Sequence, residues 1–383
     1  MARNIITGID IGTSATRVVM AEYTKGKNTP NILGIGVAQS RGLKHGYIVN
    51  KEDAVKSIKR ALRLAEKSAR TKIKSAFLSI GGISLEAQSA DGVSVISRAN
   101  EEVNDLDIGR AMSASEENLT GIANKKILHS IPVKFKLDGH EVLGNPDGMK
   151  GSKLEIKTLF FTCLEQHLND LVNTVEEAGV EVEDVIAAPL AASLVALTKK
   201  QRTVGCALAN IGAETVSISV FEDSMPISLQ VFPIGSTDIT NDIALGFKIS
   251  LDEAEELKVK GPDGYPKRKL DEIIEARLSD IFELIEVHLK KIGRNGLLPA
   301  GIILTGGGAG VGEIESMAKS NLKLPSQVAT PVANGNGQLR DSSWFVAYGL
   351  CIYGFGEARN SKQIKAIKNA GRSIIDWFKQ FMP

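Results

Sequence analysis

Two short stretches, GIDIGTS at residues 8–14 and LANIGAET at residues 208–215, carry the same pattern, with Asp10-Ile11-Gly12 falling on Asn210-Ile211-Gly212. Each is entered by an apolar run, IITGIDIG or VGCALANIG, and left by an apolar–polar one, TRVVMAEY or TVSISVFE, which is the pattern of a β-hairpin. A turn tipped by glycine lets backbone N–H groups approach a phosphate with no Cβ in the way. Two such turns, on facing halves of a duplicated fold, would clamp a polyphosphate from both sides. Asp10 would hold the accompanying Mg²⁺ through water. A third stretch, TGGGAG at residues 305–310, follows the apolar run GIIL and precedes a helical pattern. That arrangement suits close approach of backbone to a flat base or a ribose, and the helix start favours phosphate. Each fragment alone is weak, since a glycine turn after a strand is ordinarily only a tight turn. Their order and spacing carry the signal.

The elements that must position these turns are legible. The first hairpin, residues 4–12 and 16–23, continues into the strand NILGIGVAQS. A helix follows from residue 51, with Asn50 as its cap and Ala54, Ile58, Ala61, Leu62 and Ala65 on one apolar face. SAFLSIGG is a strand. Residues 84–164 change texture: VSVIS, a capped helix, the strand KKILHSIPVKFKL, a polar turn region and the long strand KLEIKTLFFTC read as a small α+β insert. A helix, a short strand and the helix of APLAASLVAL lead to the second hairpin. Then come the strand MPISLQVFPIG, three helical patterns between residues 236 and 292, the glycine turn and a last apolar helix, SSWFVAYGLCIYGF.

At 383 residues the chain suits two to four subdomains, and 43% hydrophobic with 24% charged residues describes an ordinary folded protein. A net charge of +1 gives no global pull toward nucleic acid, and none is expected as a partner. Cys163, Cys206 and Cys351 lie far apart in apolar runs and read as reduced core thiols. MARNIITGID enters a strand at once, leaving no room for a signal peptide, and no apolar run approaches the roughly 20 residues of a spanning helix. The expectation is a cytoplasmic protein whose membrane contact, if any, is peripheral.

Hairpin, insert, hairpin and glycine turn is the layout of the actin/sugar kinase/heat-shock ATPase superfamily, which the chain resembles. Within it the chain is similar to the FtsA cell-division family over nearly its whole length. GIDIGTS resembles that family's first phosphate motif, the run from GISLEAQSADG to LFFTC its inserted SHS2-type domain, APLAASLVAL and FVAYGL its connecting helices, and GIILTGGGAGVGEIE its adenosine motif. The resemblance implies an α/β fold, an actin-like duplicated ribonuclease-H-like architecture. Residues 1–83 and 165–198 would form the first half, 84–164 the insert, 199–247 and 300–355 the second half, and 248–299 its small lobe. A linker at 356–371 and a membrane-targeting helix at 372–383 would follow.

The resemblance also implies a cell-division adaptor that binds ATP with Mg²⁺, polymerises head to tail and ties the FtsZ ring to the inner membrane at the division site, alongside other division proteins. The nucleotide residues would be Asp10, Gly12, Thr13 and Ser14, then Asn210, Gly212 and Thr215, with Gly306, Gly307 and Gly308 against adenosine. Glu255 and Lys258, which alone read as a solvated helix pair, match the family's ribose and purine contacts. The C-terminal tail of FtsZ would bind the small lobe, whose long helix carries Arg277, Lys290, Lys291 and Arg294; alone, these read as a solvated face. Two alternatives share the architecture: a PilM-type pilus-assembly platform, and an ATPase or chaperone of the same superfamily.

Three positions depart from the family pattern. Ala15 stands where a Lys is usual, Asn210 where an Asp is, and Glu214 where a Gly is. The chain therefore lacks one phosphate-binding cation and one carboxylate, and gains a carboxylate at the second turn. Glu214 either crowds the terminal phosphates or turns to solvent. Arg17 compensates for the missing cation only if it faces the cleft, which strand alternation leaves open. The expectation is weak ATP binding with little or no hydrolysis, and no catalytic residue is assigned. At the other end, RSIIDWFKQFM puts Ile374, Ile375, Trp377, Phe378, Phe381 and Met382 within an arc of about 160° of a helical wheel, behind Arg359, Lys362, Lys365 and Lys368. A short aromatic amphipathic helix with basic flanks suits an anionic membrane interface.

Overall fold

A computed structural model describes residues 5–23, 29–96, 101–330, 339 and 341–360. The expected membrane helix and most of the expected linker lie outside them. In chain order, β1 (Ile5–Ile11), β2 (Ala15–Glu22) and β3 (Asn31–Gln39) form a meander. A miniature hairpin follows, β4 (Leu43–Lys44) and β5 (Tyr47–Ile48), then α1 (Lys51–Ala69) and β6 (Ser75–Ile80). Helix α1 starts where the sequence places it: the Asn50 side chain accepts from the Asp53 N–H, and all five residues of the expected face are buried.

The insert contributes β7 (Glu86–Val95), α2 (Asp105–Glu117), β8 (Lys125–Leu137), β9 (His140–Val142) and β10 (Lys153–Leu164). Its sheet order is β7-β10-β8-β9. Pro132 interrupts β8 at a register shift, where its missing N–H does least harm. The chain returns through α3 (Glu165–Glu177) to β11 (Glu181–Ala187), completing a five-stranded sheet of order β11-β6-β1-β2-β3.

Helices α4 (Ala188–Ala196) and α5 (Lys199–Val204) lead into β12 (Cys206–Ile211), β13 (Val216–Glu222) and β14 (Met225–Phe232). Next come α6 (Ser236–Phe247), α7 (Leu251–Lys260), α8 (Lys267–Lys291), β15 (Ile302–Thr305), α9 (Ile314–Leu322), β16 (Ser326–Val328) and α10 (Phe345–Asn360). The second five-stranded sheet, β14-β13-β12-β15-β16, repeats the β-meander-plus-parallel-strand plan of the first. Both repeated hairpins thus sit at the centre of a sheet, with their turns at the strand ends that face the other half.

Helix α10 runs through Asn360, past the expected start of the linker at 356. It lies on β1 and crosses α4 closely. A Cβ at Gly349 would stand 1.9 Å from the Ala191 carbonyl oxygen, so only glycine permits that crossing. The three cysteines are buried free thiols, and burial pushes Cys206 and Cys351 up to about 12.

Candidate functional site

The first turn is closed by a hydrogen bond from the Gly12 N–H to the Ala15 carbonyl, 3.2 Å. At its base Asp10 pairs directly with Arg17 across the hairpin, so both side chains leave the same face of the sheet. Ser79, at the end of β6, donates to Asp10 Oδ1 at 2.7 Å. Burial pushes the Asp10 carboxyl above its ordinary value, against the Ser79 hydrogen bond and the Arg17 charge. The Arg17 guanidinium rests 5.8 Å from the centre of the Trp344 ring, and its Nε is buried with no hydrogen-bond partner among the described residues. Direct pairing across the strands therefore settles Arg17's direction: its cation lies on the Asp10 side.

The second turn repeats the first, with the Gly212 N–H donating to the Thr215 carbonyl at 2.9 Å. Ser236, which opens α6, donates its N–H to the Gly212 carbonyl, 2.9 Å. Gly306 has φ of +93°, and a Cβ there would fall 2.2 Å from Asn210 Oδ1. The glycine turn and the hairpin end are thus packed backbone to side chain, and Asn210 points at the glycine turn. Gly307 has open space where a Cβ would go, whereas Gly308 lies against Ile211 and Ser236.

Glu255 and Lys258 of α7 are not the solvated pair that helical spacing suggests. Lys258 Nζ donates to the Ser236 carbonyl (3.0 Å), Thr240 Oγ1 (2.7 Å) and Glu255 Oε2 (2.7 Å). Its side chain is 5% exposed, while that of Glu255 is 52% exposed. Burial opposes ionisation of Glu255, but the hydrogen bonds from Lys258 and Thr240 together with the Lys258 charge hold its carboxyl below the ordinary value. Ser236 is therefore a junction: it touches the second turn, the glycine turn and the Lys258 ammonium. Gly212, Asn210, Gly306, Gly308, Glu255 and Lys258 converge around it.

Glu214 neither crowds an open cleft nor turns to solvent. Its Oε2 accepts from the backbone N–H of His45 at 2.6 Å, and its carbonyl oxygen lies 3.1 Å from His45 Nδ1. The next N–H, that of Gly46, donates to Thr13 Oγ1 of the first turn at 3.2 Å. His45 and Gly46 are the two central residues of the β4–β5 hairpin, with φ of +48° and +86°. Such a tight turn leaves its central N–H groups unpaired within the hairpin. One reaches the first repeated turn and the other reaches the second, so the two turn tips meet on one dipeptide. Sequence reasoning missed this connector; Gly46 between Leu43-Lys44 and Tyr47-Ile48 is its only local signal.

Ser14 is exposed, and its carbonyl accepts from the Ser40 N–H. Of the basic residues expected on the long helix, Arg277 and Lys290 lie on α8 and are paired to Asp242 and Asp280 and to Glu286, while Arg294 lies beyond its end and is paired to Glu222, so each is already engaged in an ion pair within the chain. Ile374, Ile375, Trp377, Phe378, Phe381 and Met382 lie outside the described residues. Among the described residues, no cluster of three acidic, His or Cys side chains could hold a metal, and no helix is long and apolar enough to cross a membrane. A single carboxylate already facing Ser79 and Arg17 fits an Mg²⁺ ion that arrives on phosphates and is held through water, not a cage built by the protein.

Two like sheets meeting at paired hairpin turns, with an α+β insert in the first, define a protein of the actin-like fold. Solved structures agree: the PilM–PilN type IV pilus biogenesis complex matches with a TM-score of 0.69 at 17% identity, covering 91% of this chain and 98% of that one. MreB5 of Spiroplasma citri, in a structure bound to AMPPNP, matches with a TM-score of 0.55 at 15% identity, covering 94% and 98%. At these identities the likeness is of fold alone. Residues 207–349 match the family model "Cell division protein FtsA", and residues 82–162 match "SHS2 domain inserted in FTSA". The cell division protein FtsA of Bacillus subtilis is 32% identical over 93% of this chain and 84% of its own length. That of Borreliella burgdorferi is 30% identical over 99% of both. The chain belongs to the FtsA family and is an actin-like cell-division protein.

Proposed function

We propose that this protein binds a purine nucleotide between its two repeated turns, assembles head to tail and links the FtsZ ring to the cytoplasmic face of the membrane at the division site. The observation that supports the nucleotide reading best is the convergence on Ser236 of the second turn, the glycine turn and the buried Lys258 ammonium. Gly306, Gly307 and Gly308 would receive the base and ribose, with the exposed part of the Glu255 carboxylate accepting from ribose hydroxyls. Gly12, Thr13, Ser14, Gly212 and Thr215 would surround the phosphates. Arg17 supplies the cation that Ala15 does not, and Asp10 would hold a phosphate-borne Mg²⁺ through water, the ion neutralising phosphate charge.

The subdivision of the chain into two halves, insert, small lobe, linker and anchor belongs to the same reading. Open-ended assembly follows because an actin-like chain presents different surfaces at its two ends. The arc from Ile374 to Met382 would lie in the lipid interface, and the FtsZ tail would dock on the small lobe. Electron microscopy of the full chain on anionic lipid monolayers tests the assembly. Filaments are the expected result; a uniformly monomeric coat at saturating protein would count against it.

A further inference from the structure

Resting on the nucleotide reading above, we infer that the cleft is built for a nucleoside diphosphate and discriminates against a triphosphate, because Glu214 already supplies the anion that a third phosphate would have to replace. The two turn tips lie one hydrogen bond each from adjacent residues of the same dipeptide, Thr13 on Gly46 and Glu214 on His45. Consecutive backbone N–H groups with left-handed φ form a concave donor pair of the kind that binds anions. Here one donor holds a carboxylate oxygen at 2.6 Å and the other a hydroxyl oxygen. The space between the tips is spanned by these contacts, so a phosphate that reached it would have to expel the Glu214 carboxylate from its donor.

Charge and backbone both resist that exchange. The Glu214 side chain is 28% exposed, so its repulsion of a terminal phosphate is only partly screened by water. Its main chain is tethered as well, with the Thr237 N–H donating to the Ala213 carbonyl at 2.8 Å and the Glu214 carbonyl meeting His45 Nδ1. Among the described residues no cation beyond Arg17 is on hand to offset a third phosphate: Arg17 lies at the base of the first turn, over Trp344, and residue 15 is Ala. A diphosphate, ending one phosphoryl group earlier, leaves the Glu214–His45 contact in place and the two halves joined. Glu214 is thus a specificity determinant and, with His45, a clasp across the cleft.

Calorimetric titration of the full chain with ADP and with ATP, each with Mg²⁺ at fixed ionic strength, tests this. Wild type is expected to bind ADP about tenfold or more tighter than ATP, since a terminal phosphoryl group adds well over one unit of charge. Glu214→Gln keeps an acceptor for the His45 N–H and removes the charge; it is expected to tighten ATP to within about threefold of ADP and to leave ADP nearly unchanged. Glu214→Gly serves as a second variant should the first misfold by circular dichroism. Equal or tighter ATP binding by wild type, or a ratio unmoved in both variants, overturns the inference and leaves the nucleotide reading standing. Binding of neither nucleotide by wild type or either variant overturns both.

Discussion

The buried Lys258 ammonium is anchored three times, and two of those anchors, the Ser236 carbonyl and Thr240 Oγ1, fasten α7 to the start of α6. Removing a buried charged donor costs the desolvation of every acceptor it leaves behind. Lys258→Met, which keeps the length of the side chain, should lower unfolding stability by about 1–3 kcal/mol, read from urea denaturation midpoints. A solvated surface pair would give a change near zero. At this scale the candidate site is legible only in the order and spacing of its turns and in the family resemblance, because each glycine turn alone reads as an ordinary tight turn. What could not be read was where side chains meet across the cleft. Glu214 and His45 are 169 residues apart, and no local pattern says that one carboxylate lands on the other's N–H. Ser79 and Trp344 were missed for the same reason: their partners, Asp10 and Arg17, are remote in sequence.

The crossing of α4 and α10 links the two sheets, with α10 packed on β1, β2 and β6 and α4 reaching β12 and β13. Its close approach depends on Gly349, where any side chain meets the Ala191 backbone. Gly349→Ala should force the helices apart and cost about 1–3 kcal/mol, an overpacking penalty. A stability within experimental error of wild type would mean the crossing relaxes freely. Long, strongly patterned elements were legible: α1 from its cap and its five-residue face, and the repeated hairpins from apolar flanks around a glycine turn. Short ones were not. β4, β5, β9 and β16 have two or three residues each, too few for a period to register, and they are held by pairing rather than by propensity. The apolar pattern ends at Phe355 and the sequence turns polar there, yet α10 continues through Asn360, because a helix end need not coincide with the end of its apolar face.

For the whole molecule, the insert is tied to the first sheet by a histidine. The Ala187 N–H at the end of β11 donates to His129 Nε2 at 3.1 Å, which requires the neutral ring, and burial depresses His129 to about 3. His288, buried under β14 against Ser228, is depressed to about 4 by burial and the Lys291 charge. Both groups bind protons more readily unfolded than folded. Their contribution is fully present above their ordinary value of 6.5 and is lost as the pH falls from there toward the folded values of about 3 and about 4. Denaturation midpoints should therefore decline between pH 7 and pH 5, and His129→Gln should flatten that decline. A midpoint independent of pH in this window would contradict the assignment of neutral buried rings.

As a bridge between FtsZ and lipid, the chain should recruit one to the other in a reconstituted system. Fluorescent FtsZ, imaged on supported anionic bilayers with and without the full chain, should gather at the lipid only when the chain is present. Trp377→Glu places a charge in the proposed apolar arc, where each buried large side chain contributes on the order of 1.5–3 kcal/mol, and should abolish the gathering without lowering the melting temperature of the folded core. FtsZ that stays in solution beside the wild-type chain, or that gathers equally well with Trp377→Glu, would contradict the account.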